Sequence, residues 1–289
     1  TFIVTISGAN TPPTISDIAN QSMSEDAVLT AFFVINDGET APINLALSAV
    51  STNASLVAAT NIFFDGDGTW KARVSPTVEG PWSLVTRSEV KELDGQTAMF
   101  TCVKNASLNT HGLLRVDKEH PRHFIFDDGA RFFMQGYEYD WLWALDMDKH
   151  GVPTVEKSLD ILARHGFNYV ILNSYAHDTT WRPGKTGSDD YGPALLYPWE
   201  GTNEQPDQSR MNLAYWQHYD RVMTALSERG IQAHMLIKVY NKQVKWPAQG
   251  SAEEKMFFRW LVARYAAYPN IIWDFSKEAH NEKDLAYKQ

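Results

Sequence analysis

Asn270-Ile-Ile-Trp273-Asp-Phe-Ser-Lys277-Glu278-Ala-His280 is the stretch on which the reading of this chain turns. The apolar run Ile271–Phe275 reads as a strand, and the carboxylate of Glu278, flanked by Lys277 and His280, follows directly on it. A strand that delivers an acid to its own end is how a pocket mouth acquires a catalytic group. Whether this one does depends on the units that lead up to it.

Three strand-then-helix units precede it. Phe132-Phe-Met-Gln-Gly136 reads as the first strand, followed by a helix from Thr154 to His165 with Val155, Leu159 and Leu162 on one face and Gly166 past its end. Tyr169–Leu172 is the second strand. The helix Asn212–Arg229 then presents Trp216, Tyr219, Val222, Met223 and Leu226 and stops at Gly230. Ala233–Val239 is the third strand, and Ser251-Ala-Glu-Glu254 opens the third helix with a capping-box pattern.

Regular βαβα alternation implies parallel strands. A doubly wound sheet binding a dinucleotide would want G-x-G-x-x-G after its first strand. Here Tyr137-Glu-Tyr-Asp-Trp-Leu-Trp143 follows instead, a sugar-binding vocabulary. Each strand ends in polar or aromatic residues, which favours a barrel, and barrels build their active sites at the C-terminal ends of the strands. Glu278 therefore falls in a catalytic position. The expectation for 109–289 is the first half of a TIM (β/α)8 barrel, truncated after its fourth strand.

Upstream the pattern is different. Ala31–Ile35, Ile43–Leu47, Trp70–Val74 and Ala98–Val103 read as short strands, separated by turns at Asn36-Asp-Gly38, Asp65-Gly-Asp-Gly68 and Asp94-Gly95. That spacing indicates an immunoglobulin-like β-sandwich over 11–108. Residues 1–10, with the strand-like Phe2–Ser7, read as the end of a preceding repeat. Phe124–Phe133 is a small hairpin with an Asp-Gly turn that leads into the barrel. The fold class is thus multidomain, β followed by α/β, and a chain that begins and ends inside elements is expected to be a fragment.

Composition sets outer limits. The 289 residues suit two domains. A hydrophobic share of 44% is ample for packed cores. The net charge of −9 argues against a nucleic-acid partner, and no apolar run reaches the ~20 residues of a membrane span. The lone Cys102 forms no internal disulfide and reads as a small buried hydrophobe. Asp65-Gly-Asp67-Gly68 imitates the opening of a calcium loop without its later ligands, so a hairpin turn is the better reading. No zinc spacing occurs, and neither metal nor cofactor is expected. Asn53-Ala-Ser55 and Asn105-Ala-Ser107 are formal glycosylation sequons with no further weight.

Particular residues carry family resemblances. Thr11-Pro-Pro-Thr-Ile-Ser-Asp-Ile-Ala-Asn-Gln-Ser-Met-Ser-Glu-Asp26 resembles the start of bacterial cadherin-like repeats, which are extracellular spacers. Phe63-Phe-Asp-Gly-Asp-Gly-Thr-Trp70-Lys-Ala-Arg73 through Gly80-Pro-Trp82-Ser is similar to the uncharacterised β-sandwich domain that precedes some glycoside-hydrolase barrels. Neither stretch alone has enough strands to bury a core, so one composite sandwich is expected. The strand-four segment resembles the signature of clan A glycoside hydrolases, in which an Asn-Glu pair ends the strand and the Glu is the acid/base. Here Lys277 replaces the Asn, which in that clan contacts the sugar 2-hydroxyl. Ser276-Lys-Glu278 resembles the apiosidase-like, sandwich-preceded subset of those barrels.

The resemblance implies a retaining glycosidase acting on a polysaccharide or oligosaccharide, with Glu278 as acid/base. Its nucleophile would be a Glu ending a seventh strand, outside this sequence, so the chain by itself is expected to be inactive. Glu282, just past strand four, has no positional support as a substitute. A Lys beside the acid would lower its pKa if both pointed the same way, so Lys277 is expected to be directed elsewhere.

The remaining substrate-binding candidates sit at the same strand ends. Glu138, Asp140 and Trp141 follow strand one, Asn173 and His177 follow strand two with Asp178 beyond, and Tyr240 and Asn241 follow strand three; Lys277 completes the set. Glu138 and Asp140 read equally as helix-capping acids, and a single His such as His177 is more often structural than catalytic. Trp181, Trp199 and Trp246 are loop residues that suit either sugar stacking or loop anchoring. A carbohydrate substrate and a secreted or cell-surface bacterial location follow from this reading. Its rival is a non-catalytic carbohydrate-binding or adhesive surface protein.

Overall fold

The computed structural model describes residues 11–41, 45, 47–51, 62–66, 69–107, 109–177, 194–282 and 284–288. The expected strand Phe2–Ser7, most of Ile43–Leu47, the Asn53 sequon, the Asp67-Gly68 half of the turn, Asp178 and Trp181 lie outside the described residues. The chain divides into two compact units, with the first boundary between Asn105 and Ala106; Val262–Ala267 group with the first unit.

The first unit holds β1 (Thr14–Ile15), β2 (Gln21–Ser24), β3 (Leu29–Asn36), β4 (Ser48–Ser51), β5 (Ile62–Gly66), β6 (Thr69–Val74), β7 (Gly80–Arg87) and β8 (Thr97–Val103). One sheet runs β1-β3-β6-β5 and the other β2-β8-β7-β4. Both contribute to one core, with Phe33, Ile35, Trp70 and Ala72 from the first and Trp82, Leu84, Phe100 and Cys102 from the second. The side-chain period of two explains the selection: Ala31, Phe33 and Ile35 point inward, while Phe32 and Val34 stay exposed. Strands from the two ends of the unit pair directly, β2 with β8 and β3 with β6. The buried Thr86 hydroxyl donates to the Leu93 carbonyl at 2.6 Å and accepts from the Gln96 N–H at 3.0 Å, which pins the turn between β7 and β8.

The second unit opens with β9 (Leu114–Val116), β10 (Phe124–Phe126) and β11 (Arg131–Phe132), an antiparallel meander whose tight turn uses Gly129 at φ 88. Then follow β12 (Gly136–Glu138), α1 (Pro153–Arg164), β13 (Tyr169–Asn173), β14 (Trp199–Gly201), β15 (Pro206–Met211), α2 (Leu213–Glu228), β16 (Gln232–Val239), α3 (Ala252–Tyr265), β17 (Ile271–Lys277) and α4 (Leu285–Lys288). The order β12-β13-β16-β17 is sequential, and every pairing in it is parallel. Phe126 and Phe132 of the meander pack with Tyr169, Ile171 and Ile272 of this sheet.

One local expectation is corrected, and one element is added. The first parallel strand is Gly136–Glu138, because Phe132 is already used in the meander, opposite Phe124. The Asn168 side chain accepts from the Gln135 N–H at 2.9 Å and donates to the Phe133 carbonyl at 2.8 Å, bridging the intervening residues. The loop after β13 contains a hairpin, β14–β15, closed at Gly201, where φ is 90 and a Cβ would meet the Gln205 carbonyl at 2.4 Å.

Candidate active site

The C-terminal ends of the four parallel strands carry Glu138 on β12, Asn173 on β13, Tyr240 just past β16, and Lys277 with Glu278 on and after β17. β17 extends two residues beyond the apolar run. Glu278 therefore begins the turn and is not the strand's last residue; its backbone is left-handed at φ 61, ψ 35 and leads into a short 3-10 turn. Its carboxylate pairs with His280 Nε2 at 3.2 Å, and about one third of the side chain is exposed, at 33%.

Lys277 turns away from Glu278 and crosses to the first strand. Its ammonium donates to Glu138 and, at 2.6 Å, to Asp140 Oδ2. Side chains stand roughly perpendicular to a sheet, and the outer strands of a flat four-stranded sheet lie about 14 Å apart. A bond between the first and last strands therefore requires the sheet to curl, bringing these residues around one concavity.

The three groups shift one another. The bond from Lys277 holds the Glu138 carboxyl below the usual carboxylate range, against a smaller opposing effect of burial. Burial pushes the more enclosed Asp140 carboxyl up, and Lys277 does not fully offset it. Burial disfavours the Lys277 ammonium, but the two carboxylates outweigh it and its pKa rises. Asp140 Oδ1 is buried with no hydrogen-bond partner.

The other candidates are placed less uniformly. Asn173 is fully enclosed at 0% exposure, with both amide atoms unpartnered. His177 is buried, with Nδ1 3.4 Å from the Tyr175 hydroxyl and Nε2 3.5 Å from Glu204. Its carbonyl accepts from the Gln243 N–H at 2.7 Å, so it ties two loops together. Trp141 is half-buried with the Lys242 ammonium 5.2 Å from its ring centroid, so one face of the ring is covered. Burial, with Glu282 and Glu254 nearby, pushes the Tyr240 hydroxyl up to about 12. Asn241 is exposed. Trp199 is core, 2% exposed and packed on Trp246 and Phe257; Trp143 likewise is core, 0% exposed.

Two polar sets were not foreseen. Lys238 and Glu254 form a buried pair that the Tyr287 hydroxyl joins, anchoring α4. The charged residue in the apolar run Ala233–Val239 was its only sequence signal. Across β13, β16 and β17, Tyr169 bonds to His234 Nδ1, and His234 Nε2 lies 2.9 Å from Asp274. Among the described residues no group of three or more His, Cys, Asp or Glu is arranged to hold a metal ion. Nor is any described helix long and apolar enough to cross a membrane.

Chemically, the site offers a partly exposed carboxyl at a strand end, beside a lysine whose charge is taken up by two other carboxylates. That arrangement suits proton transfer to or from a bound group.

Residues 118–288, more than half of the chain, match the family model described as the apiosidase-like catalytic domain. Among solved structures, a candidate glycoside hydrolase from Bacteroides vulgatus superposes with a TM-score of 0.71 at 23% identity, over 90% of this chain and 50% of that one. The chain thus spans about half the length of that relative, and at this identity the likeness concerns the fold. A family 5 mannosidase from Rhizomucor miehei gives a TM-score of 0.36 at 12% identity, over 58% of this chain and 49% of its own, too low to carry an argument. No curated protein matches the chain.

Proposed function

The chain belongs to the apiosidase-like catalytic-domain family, and from that premise we propose that it carries the acid/base half of a retaining glycoside hydrolase of clan A type. A glycoside-hydrolase-like function is supported by the family model and by the solved relative. The observation that carries the finer reading is the position of Glu278, directly after the fourth of four parallel strands, with the neighbouring Lys277 bonded away from it to Glu138 and Asp140. In this reading Glu278 protonates the departing sugar oxygen and then deprotonates the incoming water.

The sheet is read as the first half of a (β/α)8 barrel. Its outer strands β12 and β17 are each paired on one side only among the described residues. In this reading the nucleophile is a carboxylate on a strand that would complete the barrel. The preceding sandwich is read as immunoglobulin-like, and the enzyme as secreted or held at a bacterial surface. The substrate is an oligosaccharide or polysaccharide.

The test is Glu278→Ala in the complete enzyme. Loss of acid/base assistance should lower kcat about 10²–10⁴-fold. Added azide should restore turnover of activated aryl glycosides as a glycosyl azide of retained configuration, because a small anion attacks the covalent intermediate without needing a base. Unchanged activity in the variant, or an inverted product, would refute the assignment.

A further inference from the structure

Resting on the glycosidase reading, we propose that Lys277 is a positioning residue for Glu278: held by two carboxylates of the first strand, it fixes the end of the fourth strand so that the next side chain projects at one place. Lys277 is anchored through both its backbone and its side chain. Its carbonyl accepts from the Tyr240 N–H at 3.2 Å and from the Ser276 hydroxyl at 2.7 Å. Its ammonium is held by Glu138 and, at 2.6 Å, by Asp140.

Both carboxylates come from one strand end that is distant in sequence, since Asp140 lies 137 positions before Lys277. The lysine and Asp140 side chains are 24% and 13% exposed, so this contact is less open to the solvent screening that makes surface ion pairs weak. One ammonium between two carboxylates leaves no positive charge to attract Glu278. The change from strand to left-handed backbone between Lys277 and Glu278 separates the two side chains, so the lysine can be tied down while its neighbour stays free to work. Immediately past this anchor the backbone turns left-handed at Glu278, and the Glu278 carbonyl accepts from the Asn281 N–H at 2.9 Å. An anchored residue before the turn and a closed turn after it leave the carboxyl few directions to point. A displacement of about 1 Å at a catalytic group costs on the order of 10²-fold in rate.

The test uses the complete enzyme and aryl glycosides of common neutral sugars, with leaving groups graded from phenol to 2,4-dinitrophenol. Phenol departs only with a proton; 2,4-dinitrophenol departs without one. Lys277→Met should lower kcat/KM about 10²-fold on the phenyl glycoside and leave the 2,4-dinitrophenyl glycoside nearly untouched. Lys277→Arg should recover most of the loss. In a Glu278→Ala background the lysine substitution should cost nothing further.

Should Lys277→Met fail to fold, Glu138→Gln and Asp140→Asn loosen the anchors one at a time while keeping volume, and the same graded pattern is expected. An equal loss across all leaving groups would mean a merely structural or substrate-contacting lysine and overturn the proposal alone. A wild-type enzyme that cleaves no member of the panel would overturn the glycosidase reading, and this role with it.

Discussion

Glu278 occupies a backbone conformation that L-residues other than Asn and Asp rarely adopt, at φ 61. A left-handed residue with a Cβ costs roughly 1–2 kcal/mol relative to glycine, and such strain is retained mainly where surrounding structure or function requires it. Glu278→Gly should therefore raise stability by about 1 kcal/mol while losing the acid/base assistance. Glu278→Ala keeps the Cβ and should lose the same assistance without the gain in stability. Denaturant melts of the two variants decide it, and equal midpoints would show that the conformation is not strained. The position of this carboxylate was legible in the sequence, because an apolar run breaking into Ser-Lys-Glu marks a strand end wherever the run sits. Its backbone angle was not, since nothing local distinguishes this Glu from one in an ordinary turn. Equally hidden were the partners of Lys277: the sequence required only that the lysine point elsewhere, and where it points depends on how far the sheet curls.

At the scale of elements, α1 shows how a start signal can escape a local search. The residue at its N-cap position is Val152, which has no side-chain cap. The cap comes from Asp146, whose Oδ2 accepts the Thr154 N–H at 2.6 Å and the Val155 N–H at 3.0 Å, while Oδ1 takes the Lys149 ammonium at 2.6 Å. Burial alone would push this carboxyl up, but Lys149 and the helix N–H groups outweigh it and hold it below the usual carboxylate range. A depressed folded pKa means that the cap contributes fully above the ordinary carboxylate range and is lost as pH falls through the lowered value. Asp146→Ala should cost about 1–2 kcal/mol near neutral pH. The difference from wild type should shrink on acidification; a pH-independent difference in denaturant midpoints would count against the cap. Tertiary capping of this kind, from six residues before the N-cap, has no adjacent motif to find. The hairpin β14–β15 was missed for a related reason. Its residues Pro206-Asp-Gln-Ser-Arg-Met211 lack the β-branched and aromatic character that signals a strand, and pairing alone makes them one. The helix faces and the strands β13 and β16 were legible almost to the residue, because there the hydrophobic period and the burial agree.

At the scale of the whole molecule, the parallel sheet presents two outer strands, each paired on one side only among the described residues. Exposed aromatic side chains lie on them, Tyr137 at 45% on β12 and Trp273 at 37% on β17. An open strand edge offers unpaired N–H and C=O groups to any other chain, and charge is the usual way of blunting it. Glu138, Asp274 and Lys277 also lie on these strands, but Glu138 and Lys277 are bound to one another and the aromatic side chains stay exposed. A polypeptide of these 289 residues should accordingly self-associate in a concentration-dependent way, and light scattering over a dilution series measures that directly. Tyr137→Lys places a charge on β12 at the more exposed of these positions and should reduce the association. A polypeptide extended through the further strands of the proposed barrel should abolish it, because those strands would take up the same backbone groups. If the shorter polypeptide stays monomeric at high concentration, the edges are covered by some other means and the half-barrel reading loses its physical support. If it associates and the extended polypeptide associates equally, the sticky surface lies elsewhere and the edge strands are not its cause.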